Sequence, residues 1–187
     1  MSTNHPEKRE LRLVLLQAGR EILAAEGLAG LALRAVTRKA GVSPTAAYRY
    51  FADREHLLAA IATSGVWELT ADLAAAERAG AKPLTAQVVA YVCFASANPA
   101  LYRLIFGPER LGHYPELENA LAAAYGVLAA RVAKSVPSGE AADKSLACWC
   151  LMHGLASMAI DSRLPPESGA PEALAARLTA AISPENL

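Results

Sequence analysis

The sequence predicts an all-α fold of about nine helices, with a three-helix head over residues 1–56 and a larger helical body over 57–187. Three observations point there. Apolar residues recur at spacings of three and four, as at Leu11, Val14, Leu15, Ala18, Ile22 and Leu23. Glycine and proline punctuate the chain at helix-length intervals, at Gly27, Gly41, Gly80, Pro83, Asn98-Pro99, Gly107-Pro108 and Pro137. Hydrophobic residues make up 53% of the 187 positions but aromatics only 6%, a balance that favours close-packed helices rich in Ala and Leu.

Taken in order, residues 1 to about 6 read as a loose tail, and a first helix runs from about Pro6 to Glu26, where Gly27 ends it. Leu28 and Leu31 tuck the link into the core of the head, and Lys8, Arg9 and Arg12 leave the helix start basic. The next stretch, Leu33 to His56, reads as two short helices joined by a tight turn and the start of a third. Leu33, Val36 and Ala40 share one face. Gly41 ends that helix, because the position after a helix C-terminus often requires positive φ. Val42 plugs the corner, Ser43 is placed to cap the next helix through its hydroxyl, and Pro44 suits its first position. Ala47 and Phe51, four apart, face inward and leave Thr45, Ala46, Tyr48 and Arg49 outward; Asp53 then caps a third helix.

This is the grammar of a helix-turn-helix, whose second helix enters the major groove of DNA. The outward set suits that task. Hydroxyls of Thr45 and Tyr48 bond phosphate oxygens, Arg49 pairs with phosphate or guanine, and the small Ala46 allows close approach to base edges. An ordinary helical hairpin uses the same Gly-Ser-Pro corner, so spacing alone leaves that reading open.

Four separated elements narrow it. Arg34-x-Val36, Ala40-Gly41-Val42-Ser43, Tyr48-x-Tyr50-Phe51 and Asp53-Arg54-Glu55-x-Leu57 resemble, in order and spacing, the N-terminal signature of the tetracycline-repressor (TetR) family, from about Arg12 to Ile61. The resemblance implies a DNA-binding head, an all-α ligand-binding body and a homodimer. By position it assigns DNA contacts to Arg34, Pro44, Thr45, Ala46, Tyr48, Arg49, Tyr50 and Arg54. The chain departs from the pattern with Ala32 where a capping Ser or Thr is frequent, Thr37 where Ala is frequent, and Arg54 where Lys is frequent.

A long helix follows Asp53, through Leu57, Leu58, Ile61, Val66, Leu69 and Leu73 to about Ala79, and joins head to body; Gly65 near its middle marks close packing. Pro83 starts the next helix, Asn98-Pro99 breaks it, and a short helix spans Pro99 to Phe106. Beyond a loop containing Gly112 and His113, a helix from about Pro115 to Ser135 carries Leu117, Leu121, Ala124, Leu128 and Val132. The last two helices run over about 141–162 and 171–182, separated by the loop Pro165-Pro166-Glu167-Ser168-Gly169. Leu146 to Ile160 is apolar nearly all round, so one side is expected in its own core and the other against a second subunit, with Ala147, Gly154, Ala156 and Ala159 allowing close approach. Family resemblance adds that these two helices form the dimer interface. Met152-His153-Gly154-Leu155 further resembles a Trp-His-Gly-Leu signature of one TetR branch, with Met for Trp.

Net charge is zero, but its distribution is uneven. Residues 1–60 hold nine Lys or Arg against six Asp or Glu, a formal +3, and the remainder balances it at −3. A basic head on an acidic body fits DNA held at one end. Three cysteines, Cys93, Cys148 and Cys150, lie in apolar stretches and read as buried thiols of a reducing compartment. With a polar N-terminus and an apolar run at 146–160 too short for a membrane, a cytoplasmic protein is expected.

Cys148, Cys150 and His153 invite a metal, but residues two apart on a helix diverge by about 200°. The remaining pair supplies too few ligands, so no metal and no cofactor is expected. For a small, largely apolar effector, the candidate lining is Trp67, Leu69, Tyr91, Phe94, Tyr102, Phe106, Tyr125, Trp149, Met152 and His153; ordinary core packing is the competing reading of each. Trp67 and Leu69 are two apart, so one of them faces away. No nucleophile–base–acid pattern or phosphate-binding Gly-rich loop is evident, and no catalytic residue is expected. The leading expectation is a dimeric regulator, a repressor of pseudo-palindromic double-stranded operator DNA. The alternative is an all-α small-molecule carrier or enzyme without a DNA role.

Overall fold

The computed structural model describes the backbone of residues 5–78, 82–107 and 111–182, and the side chains of 10–78, 82–107 and 111–181. The side chains of Lys8 and Arg9, and the helix stop expected at Gly80, lie outside the described residues. Nine α-helices occur among those described: α1 (His5–Gly30), α2 (Leu33–Ala40), α3 (Pro44–Tyr48), α4 (Arg54–Arg78), α5 (Pro83–Ala97), α6 (Pro99–Phe106), α7 (Pro115–Ala133), α8 (Ala141–Ile160) and α9 (Pro171–Ile182). Short 3-10 turns at Ser138–Glu140 and Pro166–Ser168 precede α8 and α9.

The chain forms two compact units: residues 1–65 with 100–117, and residues 66–99 with 118–187. The first unit therefore takes in the front half of α4 together with α6, beyond the 1–56 read from the sequence. A physical reason is visible at Gly65. A Cβ there would stand 2.8 Å from Leu101 Cδ2, so the absent side chain is what lets α6 close on α4, the packing role expected of this glycine.

Within this unit, Leu15, Leu23, Leu31, Val36, Ala47, Phe51, Leu57 and Ile61 are all buried. Of the expected α1 stripe, Leu15, Ala18, Ile22 and Leu23 are buried and Leu11 is half-buried, whereas Val14 is exposed and Leu16 is buried instead. Leu31 is fully buried as expected, whereas Leu28 is only half-buried. α1 breaks at Gly27, with φ 68° and ψ −168°.

In the second unit, α5 packs against α8 and α9, around Val88, Tyr91, Val92, Met152, Ala156 and Ala175. Glu77 at the end of α4 gathers polar partners: Lys134 Nζ at 3.1 Å, Arg131 Nη1 at 3.7 Å and Gln87 Nε2 at 3.4 Å. Within one chain α8 buries one side. Ser145, Cys148, Met152, Leu155 and Ala156 face the core, while Leu146, Ala147, Cys150, Gly154 and Met158 are exposed. Of the small residues expected to allow close approach, Ala147 and Gly154 are therefore on the open face. Cys93 and Cys150 are likewise exposed, and only Cys148 is a buried thiol. α4 is long and apolar enough to cross a membrane by length and composition, but half of that stretch is buried inside the protein, as in a core helix.

Candidate nucleic-acid interface and body cluster

The corner between α2 and α3 is built by backbone geometry. Gly41 holds φ 69° and ψ 28°, the left-handed conformation that closes a helix, with its N–H on the Arg38 carbonyl and the Val42 N–H on the Thr37 carbonyl. Thr37, one of the departures from the family pattern, is buried and satisfied because its hydroxyl donates to the Arg34 carbonyl at 3.1 Å. Ala32 precedes α2 in an extended conformation without a side-chain cap. Ser43 is the N-cap of α3 by position but makes no side-chain capping bond; its carbonyl accepts the Ala46 N–H at 3.0 Å instead. α3 is so short that this backbone turn closes its start. Asp53 caps α4 as expected, accepting the His56 N–H at 2.8 Å.

Seated on this corner, α3 buries Ala47 completely and Phe51 almost so. Pro44, Thr45, Tyr48 and Arg49 are exposed, as is Arg34 on α2; Ala46 and Tyr50 are half-buried. Tyr50 leans on Phe51, ring centroids 6.4 Å apart. Arg12 lies over the Phe51 ring at 5.9 Å, which gives this basic residue a structural contact. Lys39 is engaged by Glu21 at 2.8 Å, and this hydrogen bond, with one from Gln17, holds the Glu21 carboxyl below its usual range.

Arg54 departs from its expected place. Its Nε donates to the Leu31 carbonyl at 2.7 Å and its Nη2 to the Leu28 carbonyl at 2.6 Å. The guanidinium therefore ties the α1–α2 link to the first turn of α4, and two of its donors are not available to a phosphate. A flexible Lys has no planar fork to span two carbonyls in this way. On the next residue, Glu55 accepts the Gly112 N–H at 2.6 Å, a contact to the loop before α7 that no spacing in the sequence announces. His56 stacks edge-on against Tyr114 in the same loop at 5.1 Å.

Of the residues read as effector lining, Tyr91, Tyr125, Trp149 and His153 come together in the second unit. Trp149 meets Tyr91 and Tyr125 edge-on, each at 5.6 Å, and His153 at 4.7 Å. His153 Nδ1 lies 3.0 Å from the Trp149 carbonyl, and the Tyr91 hydroxyl stands over the imidazole, 3.1 Å from Nε2 and 3.2 Å from Nδ1. Burial pushes the His153 pKa below its usual value. Met152 and Leu69 are fully buried, whereas Trp67 is 49% exposed; the spacing of two sends these α4 side chains apart. Phe94 borders an open groove of about 380 Å³ with Glu68, Asp72, Ala75, Ala90, Cys93, Ala97 and Asn98. Tyr102 and Phe106 belong to the first unit, where their rings pack at 5.2 Å. Cys148 is buried and Cys150 exposed, the divergence that argues against one ion between them.

Comparison with known proteins decides the family. Residues 15–61 match the model of bacterial regulatory proteins of the tetR family, and residues 84–182 match the tetracyclin repressor-like C-terminal domain. The chain belongs to the TetR family. A solved structure of a protein with unknown function from Rhodococcus sp. RHA1 is 32% identical, with a TM-score of 0.78 over 91% of both chains. A bacterial regulatory protein in the tetR family from Rhodococcus RHA1, 21% identical, shares the fold with a TM-score of 0.68 over 91% of this TetR-family chain and 94% of its own. An HTH-type transcriptional regulator of Mycobacterium tuberculosis is 26% identical over 71% of this chain and 60% of its own length. The chain thus spans about 60% of the curated relatives it matches.

One residue of the body was missed by sequence reasoning. Gln87 is fully buried on α5, its Oε1 without a hydrogen-bond partner. The available signal was a single amide side chain four residues before Tyr91 in an uncharged helix.

Proposed function

We propose that this TetR-family chain is a homodimeric, operator-binding transcriptional regulator, a cytoplasmic repressor that a small, largely apolar effector releases from DNA. The observation that carries the reading is the solvent face of α3. Thr45 and Tyr48 project from a helix of five residues that holds no acidic side chain, with Arg49 exposed at its C-cap and the fully buried Ala47 anchoring it from behind. A tyrosine hydroxyl 55% accessible beside an exposed guanidinium, with no carboxylate on the helix, suits a phosphate-bearing partner. Tyr48 and Arg34 position the protein on phosphates; Thr45, Ala46 and Arg49 meet base edges; Pro44 and Tyr50 flank them. The head over 1–56 reads DNA, and the body over 57–187 dimerises and binds the effector.

Dimerisation through α8 and α9 is supported by the exposed apolar row Leu146, Ala147, Cys150, Gly154 and Met158, a surface that water solvates poorly. A two-fold dimer presents two copies of α3 to half-sites one turn apart, roughly 34–36 Å. DNase footprinting across the DNA upstream of the coding region tests the reading. It should show a protected pseudo-palindrome with half-sites about one turn apart. Uniform, unprotected cleavage there and across a genomic library of fragments would contradict it.

A further inference from the structure

Among the described residues, one buried side-chain polar atom has no hydrogen-bond partner: Oε1 of Gln87. Its orientation is fixed by chemistry. The Nε2 of the same amide points at Glu77 Oε2, 3.4 Å away. Rotating the amide would set its oxygen against the carboxylate and strand the nitrogen, so the oxygen must be the open end. Glu77 is itself held by Lys134 at 3.1 Å and Arg131 at 3.7 Å, which keeps the amide from turning. A buried carbonyl is rarely left unmatched, and each exception calls for an explanation.

The surroundings say what would match it. Gln87 lies one turn before Tyr91 on α5, so both project from one face. Tyr91 in turn touches Trp149 and His153. A fully buried acceptor one turn from Tyr91 selects a neutral donor, since a charge would lose its hydration there. We propose that Gln87 Oε1 is the polar recognition point of the body site, and that the effector is a small uncharged molecule with a flat apolar frame and one N–H or O–H donor. This rests on the effector-responsive reading given above.

Indole and N-methylindole, which differ by a methyl in place of the N–H hydrogen, test this on the full chain by calorimetry. Indole should bind the wild type at least about tenfold more tightly, the discrimination expected when a buried acceptor is otherwise left unpaired. In Gln87→Met the two should bind within about twofold of each other. Equal binding of both by the wild type overturns the proposal, as does a preference that survives in Gln87→Met, or no saturable binding of either at millimolar concentration. The wild-type comparison stands even where the variant fails to fold. Footprinting of the same preparation separates the cases. A protected operator with no donor preference sinks this inference alone, whereas loss of specific protection sinks the regulator itself.

Discussion

Arg54 offers a test in which charge and geometry give opposite answers. Its guanidinium makes two charge-assisted hydrogen bonds, at 2.7 Å to the Leu31 carbonyl and 2.6 Å to the Leu28 carbonyl. Such bonds contribute about 1.5–3 kcal/mol each when sheltered. Here the first is part-buried and the second exposed, and the Leu28 carbonyl also accepts the Leu31 N–H at 3.3 Å. Water therefore recovers much of the loss, and about 1–2 kcal/mol is the expected net cost of removing both. Arg54→Lys keeps the positive charge but cannot span both carbonyls. For a chain of this size each kcal/mol moves Tm by about 2–4 °C, so Arg54→Lys should melt about 2–8 °C below wild type. Calorimetry reads that shift, and anisotropy reads the salt dependence of DNA binding. The slope should be unchanged in Arg54→Lys at a temperature where the variant is folded. A wild-type Tm in Arg54→Lys, paired with a salt slope reduced by about one in Arg54→Met, would show instead that Arg54 contacts a phosphate and that the carbonyl bonds are of no consequence.

Tyr48→Ala removes a half-exposed ring with no core role, so DNA affinity should fall about tenfold with Tm within about 1 °C of wild type; unchanged affinity in a thermal and binding titration would remove Tyr48 from the interface. Gly41→Ala meets no atom within 4 Å, so its cost is the left-handed backbone alone, about 1 kcal/mol, visible as a fall of about 2–4 °C in Tm and refuted by no change. His153 carries a lowered pKa, so below about pH 6.5 the unfolded chain binds a proton that the folded ring does not. Its contribution to stability is complete above that pH and is lost as pH falls through it towards the folded pKa; a His153→Gln variant should show a flatter decline in Tm between pH 7 and 5.5. Leu146→Glu and Met158→Glu on the open face of α8 should convert dimer to monomer in sedimentation velocity without lowering helix content, and an intact dimer would place the interface elsewhere.

Helices and their punctuation were legible because each relied on local chemistry. Gly41, Asp53, Pro83 and Asn98-Pro99 act through their own backbone or an immediate neighbour, and all four fall at helix ends. Contacts between distant segments were not legible. Arg54 reaches back 23 and 26 residues to carbonyls, and Glu55 reaches forward 57 to Gly112; no periodicity encodes either. Which side of α8 lies open was also not legible. The helix is apolar nearly all round, so the expectation of one core side and one outer side did not assign Leu146 and Met158 to the outer one. The candidate site divides the same way. The outward set on α3 follows from Ala47 and Phe51 being four apart, whereas the open oxygen of Gln87 depends on Glu77, ten residues away on another helix.

The central claim is that the solvent face of α3 reads DNA. Anisotropy of the purified protein on duplex DNA from just upstream of its coding region, against a scrambled duplex, over a series of salt concentrations, addresses it most directly. Binding should be tight, fall steeply with salt, and prefer the upstream duplex by about 10³-fold or more, with the preference lost in a Thr45→Ala/Arg49→Ala variant. Equal affinity for both duplexes, unchanged by that variant, would contradict it.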